Sequence, residues 1–510
     1  MFAFAVYDQR TKQLFLARDR LGVKPLFYAP VSDGSVIFGS ELKALLANPL
    51  LRREPNLRAV DDYLAFGYVP DQTSLLKGVK KLPAGHYLLL EQGTPEAQPV
   101  QYWDIDFSNR SKGSVSALEE ELVSLMKDAI GSRMISDVPF GAFLSGGVDS
   151  SAVVALMSEQ SRQPVKTCSI GFDQQSLDET SYAQLVADRF KSEHRSRTVA
   201  ADDFDLIDTL ADHFDEPFAD ASALPTYRVC ELARENVTVA LSGDGADEAF
   251  AGYRRHVFHK AEEQVRGLIP QSIRGPALGW LGNLYPKADW APRPLRAKST
   301  LLSLSRTGPE GYSEAVGVTT PGGRAAIYSD SMIQQLDGYA GESRMIAMME
   351  NAPARDGLDQ AQYADMKLWL PGDILTKVDR TSMAVSLEAR EPLLDYKLME
   401  FAAKLPSKLR VKGGTGKYLM KKSMERYLPN EILYRPKMGF VTPIAQWFRG
   451  PLAEDARNIA KGGALSRMGW FDPKALSSMA EDHITGKSDN SRLLWQLVML
   501  DKSLQRLFAL

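Results

Sequence analysis

Apolar residues follow two different patterns along the chain, and the change lies near residue 108. Before that point, short apolar runs are separated by turns such as Asp33-Gly34 and Pro83-Ala84-Gly85. Short runs between turns of this kind predict the strands of an antiparallel sheet. The predicted strands cover residues 2–7, 13–17, 36–39 and 86–90. Residues 108–116 are polar without an apolar period, which predicts a linker between domains 1–108 and 117–510.

From residue 117 onward, helical spacing of apolar residues alternates with short buried runs. The predicted helices cover residues 118–130, 179–190, 224–234 and 248–259, and one more ends at Met157. The predicted strands cover residues 138–144, 165–172, 194–199 and 237–241. This alternation predicts an α/β fold, a parallel sheet with helices on both faces and ligands at the carboxyl ends of its strands. Beyond about residue 310 the pattern is helical, with breaks predicted at Pro371, Pro392, Pro406, Pro429 and Pro443.

Composition and charge exclude several classes of protein. The chain has 510 residues, of which 44% are hydrophobic and 25% charged, as in soluble globular proteins of two to three domains. A net charge of -3 supplies no general attraction for nucleic acid or an anionic membrane, so neither is predicted as a partner. No apolar run reaches the ~18 residues of a spanning helix. The chain is therefore predicted to be soluble and cytoplasmic.

Cysteine and histidine usage argues against disulfides and zinc. Cys168 and Cys230 are the two cysteines, and neither belongs to a CxxC pair, which fits a reducing cytoplasm. The six histidines are scattered, and only His256 and His259 are close enough to share a helix face. Surface or packing roles are predicted for the histidines, and a structural zinc site is nearly excluded.

The run Ser145-Gly-Gly-Val-Asp-Ser150 between a predicted strand and a helix has the character of a phosphate-binding loop. Its glycines permit close approach of an anion, and the hydroxyls of Ser145 and Ser150 can donate to phosphate oxygens. Asp149 stands where a Walker loop has lysine, so Mg²⁺ is needed to offset its charge against the phosphates. The alternative is an ordinary tight turn with an N-capping serine.

A second loop, Leu241-Ser-Gly-Asp-Gly-Ala-Asp-Glu248, also follows a predicted strand. Its acids Asp244, Asp247 and Glu248 are hard oxygen donors that suit Mg²⁺. Alone, the run is also typical of a solvated acidic turn that caps a helix. Together the two loops predict ATP and Mg²⁺ between them, and the acid-rich residues 214–220 are expected to line the same cleft.

Several motifs in one order resemble the glutamine-hydrolysing asparagine synthetases of the B type. They are SGGVDS at 145–150, SIGF at 169–172, DEPFADASALP at 215–225, LSGDGADEAFAGY at 241–253, KVDRTSMAVSLEAREPLLD at 377–395, GTGKYLMKK at 414–422 and RPKMGF at 435–440. The resemblance covers nearly the whole chain. It implies an N-terminal antiparallel piece of a glutaminase of the N-terminal-nucleophile type. A PP-loop synthetase domain with a helical C-terminal part follows, and it cleaves ATP to AMP and pyrophosphate.

The resemblance also implies roles for individual residues. Around pyrophosphate it places Ser145, Gly146, Gly147, Asp149 and Ser150, and at the rest of the nucleotide Leu144, Ile170, Ser242 and Gly243. Mg²⁺ ligands are then Asp149 and Asp247, and Asp244 is associated with forming an acyl-adenylate. Lys417 would stabilise the charge on the α-phosphate and the departing pyrophosphate. Glu388 and Arg390 either shape the acceptor pocket or form an internal ion pair.

The implied reaction is amide formation through an activated carboxylate. The side chain of aspartate attacks the α-phosphorus of ATP, and ammonia then displaces AMP to give asparagine. Residues 1–8, MFAFAVYD, resemble an internal strand of the family's glutaminase domain. The front half of that domain, with its nucleophilic cysteine, is therefore expected to be missing, and glutamine hydrolysis is not expected. Either the sequence starts at an internal methionine, or nitrogen comes from free ammonia or a separate glutaminase.

Other functions stay open at this stage. Residues 251–310 hold ten Lys and Arg against four Asp and Glu, interleaved with Trp280, Tyr285 and Trp290. This is typical of a solvated basic face with anchoring aromatics. The run at 281–292 also resembles amidotransferases of exopolysaccharide and exosortase-linked systems, which implies another carboxylate acceptor. A β-lactam-synthetase-like ligase and a non-catalytic remnant are further alternatives, a tRNA-modifying PP-loop enzyme is disfavoured, and the oligomeric state is open.

Overall fold

The computed structural model describes residues 1–93, 97–173, 178–199, 204–286, 297–436 and 442–508. Within these residues the predicted α/β class is confirmed, because N-terminal antiparallel sheets are followed by a parallel sheet and a helical C-terminal part. Two segments of the motifs discussed above lie outside the described residues. They are residues 287–292 of the run at 281–292, which include Trp290, and residues 437–440 of RPKMGF.

Two antiparallel sheets form the N-terminal region. Their strands are β1 (Ala3–Asp8), β2 (Gln13–Arg18), β3 (Phe27–Pro30), β4 (Val36–Gly39), β5 (Lys80–Lys81), β6 (His86–Glu91) and β7 (Val100–Gln101). One sheet has the order β1-β2-β6-β7 and the other the order β4-β3-β5. The four predicted strands are confirmed to within one residue at each end. At the edge strand β1 the large side chains of Phe4, Val6 and Tyr7 are exposed.

Helices α1 (Leu42–Leu46) and α2 (Leu57–Phe66) lie between these strands and were not predicted. In α2 the acids Asp61 and Asp62 are buried. Because two charged residues stand at core positions, the sequence lacks the apolar pattern that would indicate a core helix. Both acids are paired: Asp61 with Arg324 at 2.8 Å and Asp62 with Arg344 at 2.7 Å. Because those arginines are more than 250 residues away, sequence spacing alone gave no signal for this helix.

The parallel sheet holds β8 (Phe140–Phe143), β9 (Lys166–Phe172), β10 (Glu193–Val199), β11 (Val239–Leu241) and β12 (Glu388–Arg390). Its strand order is β10-β9-β8-β11-β12. From β8 the chain moves outward to β9 and β10, then returns to the other side of β8 with β11. The order therefore reverses between β8 and β11, which is where open α/β sheets bind ligands.

Helices cover this sheet, and all those given next except Leu206–His213 were predicted. They are α3 (Val115–Arg133), α4 (Val148–Gln160), α5 (Thr180–Phe190), α6 (Leu206–His213) and α7 (Ala223–Arg234). The single helix predicted over 248–259 is wrong, because the chain forms α8 (Ala246–Ala249) and α9 (Arg254–Leu268) instead. Between them Ala251 has a φ of 54°, a left-handed conformation that no helix continues through.

The remaining helices form the C-terminal part. They are α10 (Gln271–Leu284), α11 (Lys298–Ser305), α12 (Gly308–Val316), α13 (Pro321–Ala325), α14 (Asp330–Leu336), α15 (Glu342–Glu350), α16 (Gly357–Ala364), α17 (Thr376–Ala384), α18 (Tyr396–Lys404), α19 (Ser407–Arg410), α20 (Tyr418–Met424), α21 (Asn430–Leu433), α22 (Ile444–Trp447), α23 (Ala453–Asn458), α24 (Ala464–Met468), α25 (Pro473–Ile484) and α26 (Ser491–Phe508). In the described part of the chain, no helix is both long and apolar enough to cross a membrane.

Proline breaks were predicted correctly except at Pro371. Pro406, Pro429 and Pro443 directly precede helices, and Pro392 opens a 3-10 turn, Pro392–Leu394. Pro371 instead lies inside a π-helix, Asp365–Leu375, that joins α16 to α17 without a break. The wider π turn tolerates a residue that lacks a backbone donor, and Thr376 Oγ1 donates to the Pro371 carbonyl at 2.8 Å.

The predicted linker is not a free connection. Ser111 N donates to the Lys404 carbonyl at 2.8 Å, and Arg110 forms an ion pair with the buried Asp359. The N-terminal region also contacts the helical part directly, since Lys24 Nζ lies 3.0 Å from Asp379 Oδ1. The two predicted domains, 1–108 and 117–510, are therefore packed together, and the division itself stays a prediction.

Candidate active site

A cavity of about 220 Å³ opens between the carboxyl ends of β8 and β11. Residues from both glycine-containing loops form its walls. The predicted site residues among them are Leu144, Ser145, Asp149, Ser150, Ile170, Ser242, Gly243, Asp244 and Asp247. Gly146 and Gly147 belong to the same loop as Ser145, and Lys417 reaches the wall through its ion pairs. The structure thus brings the sequence-predicted residues to one place, as the topology of the sheet requires.

The loop after β8 is fixed by its own two serines. Ser145 Oγ and Ser150 Oγ lie 3.0 Å apart, and Ser150 Oγ accepts from Ser145 N at 3.2 Å. Helix α4 begins at Val148 with Gly147 as its N-cap, which has no side chain to accept from the first turn. The alternative of a turn capped by a serine is therefore wrong. Asp149 and Ser150, in the first turn of α4, face the cavity instead.

Gly146 allows the tight path of this loop. Its φ is +70°, and a Cβ placed on it would lie 2.6 Å from Ala183 N and from Tyr182 Cβ. On the other side, Arg435 Nη2 donates to the Gly146 carbonyl at 3.1 Å while its Nη1 lies 2.6 Å from Glu179 Oε1. Arg435 was noted only as part of a motif, and its contact with the loop could not be read from sequence because 289 residues separate the two.

Lys417 joins the two loops at the cavity. Its Nζ lies 2.5 Å from Asp149 Oδ2 and 2.8 Å from Asp247 Oδ1, and the residue is only 3% exposed. Burial alone would lower the pKa of Lys417, but the charges of Asp149 and Asp247 outweigh it and raise the pKa above its ordinary value. The ammonium is therefore held charged between two carboxylates from different loops.

The chain makes room for Lys417 at the break between α8 and α9. A Cβ on Gly252 would lie 2.0 Å from Lys417 Cε and 2.0 Å from Asp247 Oδ1. Lys417 itself has a φ of 57°, a strained conformation for lysine, and its N–H donates to the Phe250 carbonyl at 2.9 Å. The break between the two helices is thus part of the site, because Gly252 within it lies so close to Lys417 that a side chain there would clash.

The acids after β11 have separate environments. Ser242 Oγ donates to Asp244, and Asp244 N donates back to Ser242 Oγ at 3.0 Å. Glu248 is buried, and burial together with the charge of Asp247 raises its pKa to about 7, although Tyr253 OH donates to it at 2.6 Å. Over the described ranges, no three His, Cys, Asp or Glu side chains are gathered to hold a metal ion. The convergent pair is Asp149 with Asp247.

The acid-rich segment 214–220 reaches the cavity only through Asp220. Lys377 lines the cavity, and its Nζ lies 2.7 Å from Asp220 Oδ2 and 2.9 Å from Ser222 Oγ. Burial lowers the pKa of Lys377 less than Asp220 and Asp373 raise it, so this lysine is also charged. By contrast, Asp215 lies 2.6 Å from Arg380 and Glu216 lies 2.6 Å from Lys81.

The structure shows the contacts of two residue pairs whose roles the sequence left open, Glu388 with Arg390 and His256 with His259. Arg390 Nε lies 2.7 Å from Glu388 Oε1 on β12, which is the predicted ion pair, and neither residue lines the cavity. His256 Nε2 lies 2.8 Å from Asp365 Oδ2, and His259 Nε2 lies 3.1 Å from the Gly357 carbonyl. Both histidines are buried on α9, so of the two predicted roles, surface and packing, theirs is packing.

An apolar wall closes one end of the cavity. It is formed by Phe143, Leu144, Cys168, Ile170, Ala183 and Val229. Burial raises the pKa of the Cys168 thiol to about 12, so this cysteine is not a nucleophile. The cavity therefore combines an apolar end, which suits a planar ring, with a polar end that holds Lys417 and Lys377.

Comparisons with known proteins agree with this architecture. Residues 121–505 match the asparagine synthase family, and residues 1–103 match the glutamine amidotransferase domain. The chain is 33% identical over 517 residues to asparagine synthetase [glutamine-hydrolyzing] 1 of Bacillus subtilis, covering 98% of this chain and 76% of that protein. It is 32% identical over 513 residues to a putative asparagine synthetase of Mycobacterium tuberculosis H37Rv, covering 98% and 75%.

A relative with a different name also matches. The amidase chyE of Penicillium rubens is 26% identical over 527 residues, covering 95% of this chain and 75% of that protein. The chain spans about three quarters of the length of these relatives. A match over most of the chain, together with the two loops that meet at the switch point of the sheet, shows that the chain belongs to the asparagine synthase family of ATP-dependent amidotransferase ligases.

Proposed function

We propose that the protein activates the side-chain carboxylate of aspartate as an acyl-adenylate and converts it to asparagine with ammonia. In the first step a carboxylate oxygen bonds to the α-phosphorus of ATP, and the bond to pyrophosphate breaks. In the second step ammonia attacks the acyl carbon, AMP leaves, and a proton is released. The observation that carries the proposal is Lys417, which is held charged between Asp149 and Asp247 where the two loops meet.

The nucleotide is proposed to span the cavity between its apolar and polar ends. The adenine ring would pack at the apolar end beside Leu144 and Ile170, near Ser242 and Gly243. The phosphates would lie on the loop after β8, where Ser145 and Ser150 offer hydroxyl donors beside the backbone of Gly146 and Gly147. These are the residue types and the positions that a phosphate-binding loop at a helix N-terminus requires.

Asp149 and Asp247 fit Mg²⁺ as a pair. Their carboxylate oxygens converge on one point, since both lie within 2.8 Å of the same ammonium of Lys417. Mg²⁺ is usually held by one or two carboxylates together with the phosphates of a nucleotide, and the donors here are of that kind. We propose these two aspartates as its ligands, where the bound ion would neutralise charge on the phosphates.

Lys417 would then exchange its carboxylate partners for phosphate oxygens. A charged donor fixed at the α-phosphate stabilises the added negative charge of the transition state and of the departing pyrophosphate. Asp244, oriented by Ser242, would act at the acceptor during adenylate formation. At the same end, Lys377 and Asp220 offer one cation and one carboxylate, which suits an acceptor that carries both an amino group and a second carboxylate.

Pyrophosphate release tests the reaction. The purified chain is given ATP and Mg²⁺ with aspartate, ammonium and glutamine, singly and together, and pyrophosphate is measured. Release that needs aspartate and ammonium supports the proposal. Aspartate labelled with ¹⁸O in its side-chain carboxylate tests the adenylate, because one labelled oxygen must appear in the AMP phosphate.

Three outcomes would change the proposal. If ATP with Mg²⁺ raises the melting temperature but aspartate supports no release, the acceptor is another carboxylate. If labelled oxygen appears in pyrophosphate or in free phosphate instead of AMP, the adenylate step is wrong. If glutamine replaces ammonium fully, the expectation that this chain does not hydrolyse glutamine is wrong. If only added ammonium supports the reaction, nitrogen comes from free ammonia or from a separate glutaminase.

A further inference from the structure

A buried glutamine outside the cavity holds the end of helix α8. Gln362, on α16, is fully buried, and its Nε2 donates to the carbonyls of Glu248 at 2.5 Å and Ala249 at 3.1 Å. These are the last two residues of α8, the short helix that carries Asp247. Gln362 lies outside the sequence motifs and outside the walls of the cavity, so neither of them indicates it.

The carbonyls at the end of α8 need donors from outside the helix. The last turn of a helix leaves carbonyls without a partner, and this helix ends at a break in the chain. The Asp247 carbonyl accepts from Gly252 N at 2.8 Å, and the Phe250 carbonyl accepts from Lys417 N at 2.9 Å. The two carbonyls between them accept from Gln362. Because both of these residues are buried, bulk water cannot replace the amide.

Arg410 fixes the orientation of the Gln362 amide. Its Nη1 donates to Gln362 Oε1, its Nη2 donates to Asp359 Oδ1, and all three side chains are fully buried. A guanidinium can only donate, so the amide oxygen must face Arg410 and the amide nitrogen must face α8. Asp359 also pairs with Arg110, so the same network reaches the segment 108–116.

The break after α8 is in close contact with the lysine of the site. A Cβ on Gly416 would lie 2.2 Å from the Ala251 carbonyl oxygen, and one on Gly252 would lie 2.0 Å from Lys417 Cε. The two segments therefore meet without spare space. Asp247, on α8 itself, lies 2.8 Å from Lys417 Nζ. A shift of the end of α8 would thus change how Lys417 and Asp247 are arranged.

We propose that Gln362, oriented by Arg410, is a positioning residue that holds the break after α8 so that Lys417 and Asp247 meet at the cavity. It acts through the backbone of α8 and not on a substrate. Displacement of a catalytic group by about 1 Å can lower a rate about 10²-fold, so two hydrogen bonds to this backbone are enough to matter. The kinetic part of the inference rests on the proposed function, whereas the structural part does not.

Two matched variants separate positioning from stability. Gln362→Met removes the amide and keeps the length of the side chain. Gln496→Met is the control, because Gln496 is also fully buried and its Nε2 donates to two successive carbonyls, those of Tyr63 at 3.0 Å and Leu64 at 2.9 Å. Those carbonyls belong to α2, outside the walls of the cavity. Both variants are expected to lower the urea midpoint by similar amounts.

Hydrogen exchange followed by mass spectrometry measures the effect without any substrate. In Gln362→Met, peptides that contain the amides of Gly252 and Lys417 are expected to exchange at least about tenfold faster than in the native chain, since these amides donate at the break. Peptides from β8 should keep the native rate. In Gln496→Met the peptides of the break should also keep it.

Steady-state kinetics measures the consequence for the proposed reaction. In Gln362→Met the kcat for pyrophosphate release is expected to fall at least about tenfold, and by more than the KM for ATP rises, because Lys417 acts on the transition state. Gln362→Glu keeps an oxygen for Arg410 but presents a carboxylate to the carbonyls of α8. It should change exchange and kcat in the same direction, and it serves if the methionine variant does not fold. Gln496→Met should keep the native kcat per folded molecule.

Two results would overturn the proposal. The first is exchange at Gly252 and Lys417 that stays native in the Gln362 variants, or that rises equally in all peptides or in Gln496→Met, which would leave Gln362 a contributor to stability alone. The second is faster local exchange with a native kcat, which would show that the break is not coupled to the reaction. If the native chain releases no pyrophosphate, the proposed function is wrong, and the exchange rates alone decide whether Gln362 holds the break.

Discussion

Buried charges have different partners in the N-terminal region and around the cavity. Arg18, on β2, is 3% exposed and donates to backbone carbonyls of Lys24 at 2.8 Å, Leu82 at 2.8 Å and Gly22 at 3.0 Å. Its remaining partner is Asp71 at 2.7 Å. Three of the four partners are backbone carbonyls, which are fixed by the chain, and Arg18 thereby ties residues 22–24 to residue 82; Asp71 is its one side-chain partner.

Lys417 is equally buried, but both of its ion-pair partners are side chains, and both face the cavity between the two loops. The carboxylates of Asp149 and Asp247 belong to two loops, and both can turn from the ammonium to a metal ion or release it to a phosphate. A buried charge therefore indicates a functional site when its partners are exchangeable, and a structural one when they are carbonyls of the backbone. Burial alone does not separate the two cases.

Removing Lys417 should produce the largest loss of activity. Lys417→Met is expected to lower pyrophosphate release at least about 10³-fold, because a preorganised charge at the α-phosphate is lost. Lys408→Met, a substitution of an exposed lysine in the same part of the chain, should change release less than about twofold. If Lys417→Met still released pyrophosphate at a normal rate, the reaction would depend on the carboxylates of Asp149 and Asp247 and not on the lysine between them.

Removing Arg18 should instead cost stability. Arg18→Met leaves Asp71 buried without its partner and frees three carbonyls, which is expected to lower the free energy of unfolding by about 3 kcal/mol. Urea denaturation measures this loss, and Arg10→Met, at an exposed arginine of the same region, is the control. Pyrophosphate release per folded molecule should be retained. If Arg18→Met had normal stability and no activity, Arg18 would be a functional residue like Lys417, and the comparison between them would be wrong.

Local patterns predicted the part of the site that is local in sequence. The strands β8 and β11 and the loops after them were predicted because apolar runs and glycines mark them within a few residues. Asp149 and Asp247 were placed by the same reasoning. The resemblance to a family added Lys417, which spacing alone would have left as an ordinary surface lysine.

Long-range contacts explain what the sequence did not predict. The role of Arg435 on the Gly146 carbonyl and of Lys377 beside Asp220 depends on residues more than 150 positions apart. The break after α8 was not predicted either, although Gly252 within residues 250–253 is a sequence signal for it. At this break Gly252 leaves the space that the side chain of Lys417 occupies in the folded chain.

Glu391 lies near the contact between the two regions and should make stability depend on pH. Burial raises its pKa from 4.5 to about 7, although the charge of Lys24 from the N-terminal region lowers it. Between those pH values the unfolded chain loses the proton while the folded chain keeps it, so stability falls as pH rises. The cost is absent below about pH 4.5 and complete above about pH 7.

Glu391→Gln removes this titration. Relative to the native chain, its free energy of unfolding is expected to improve by about 2 kcal/mol between pH 5 and pH 8, as measured by urea denaturation. Glu388→Gln, three residues away on β12 at a half-exposed carboxyl, should show little of this change. A difference that is flat across the same pH range would mean that Glu391 is ionised in the folded chain, held so by Lys24.

The smallest effect is expected from a substitution at Gly146, and a second glycine with a similar φ serves as its control. Gly146→Ala should weaken ATP binding about tenfold, because its Cβ would meet Ala183 N at 2.6 Å and push the loop out of place. Gly34 has a similar φ of +84°, but no atom lies within 4 Å of its Cβ position. Gly34→Ala therefore carries the same backbone strain without the clash, and it should lower the melting temperature slightly while the KM for ATP is unchanged. If both variants bind ATP equally well, the loop after β8 can be displaced without loss of binding. The contacts with Arg435 and Ser150 that hold this loop in place would then not be needed for ATP binding.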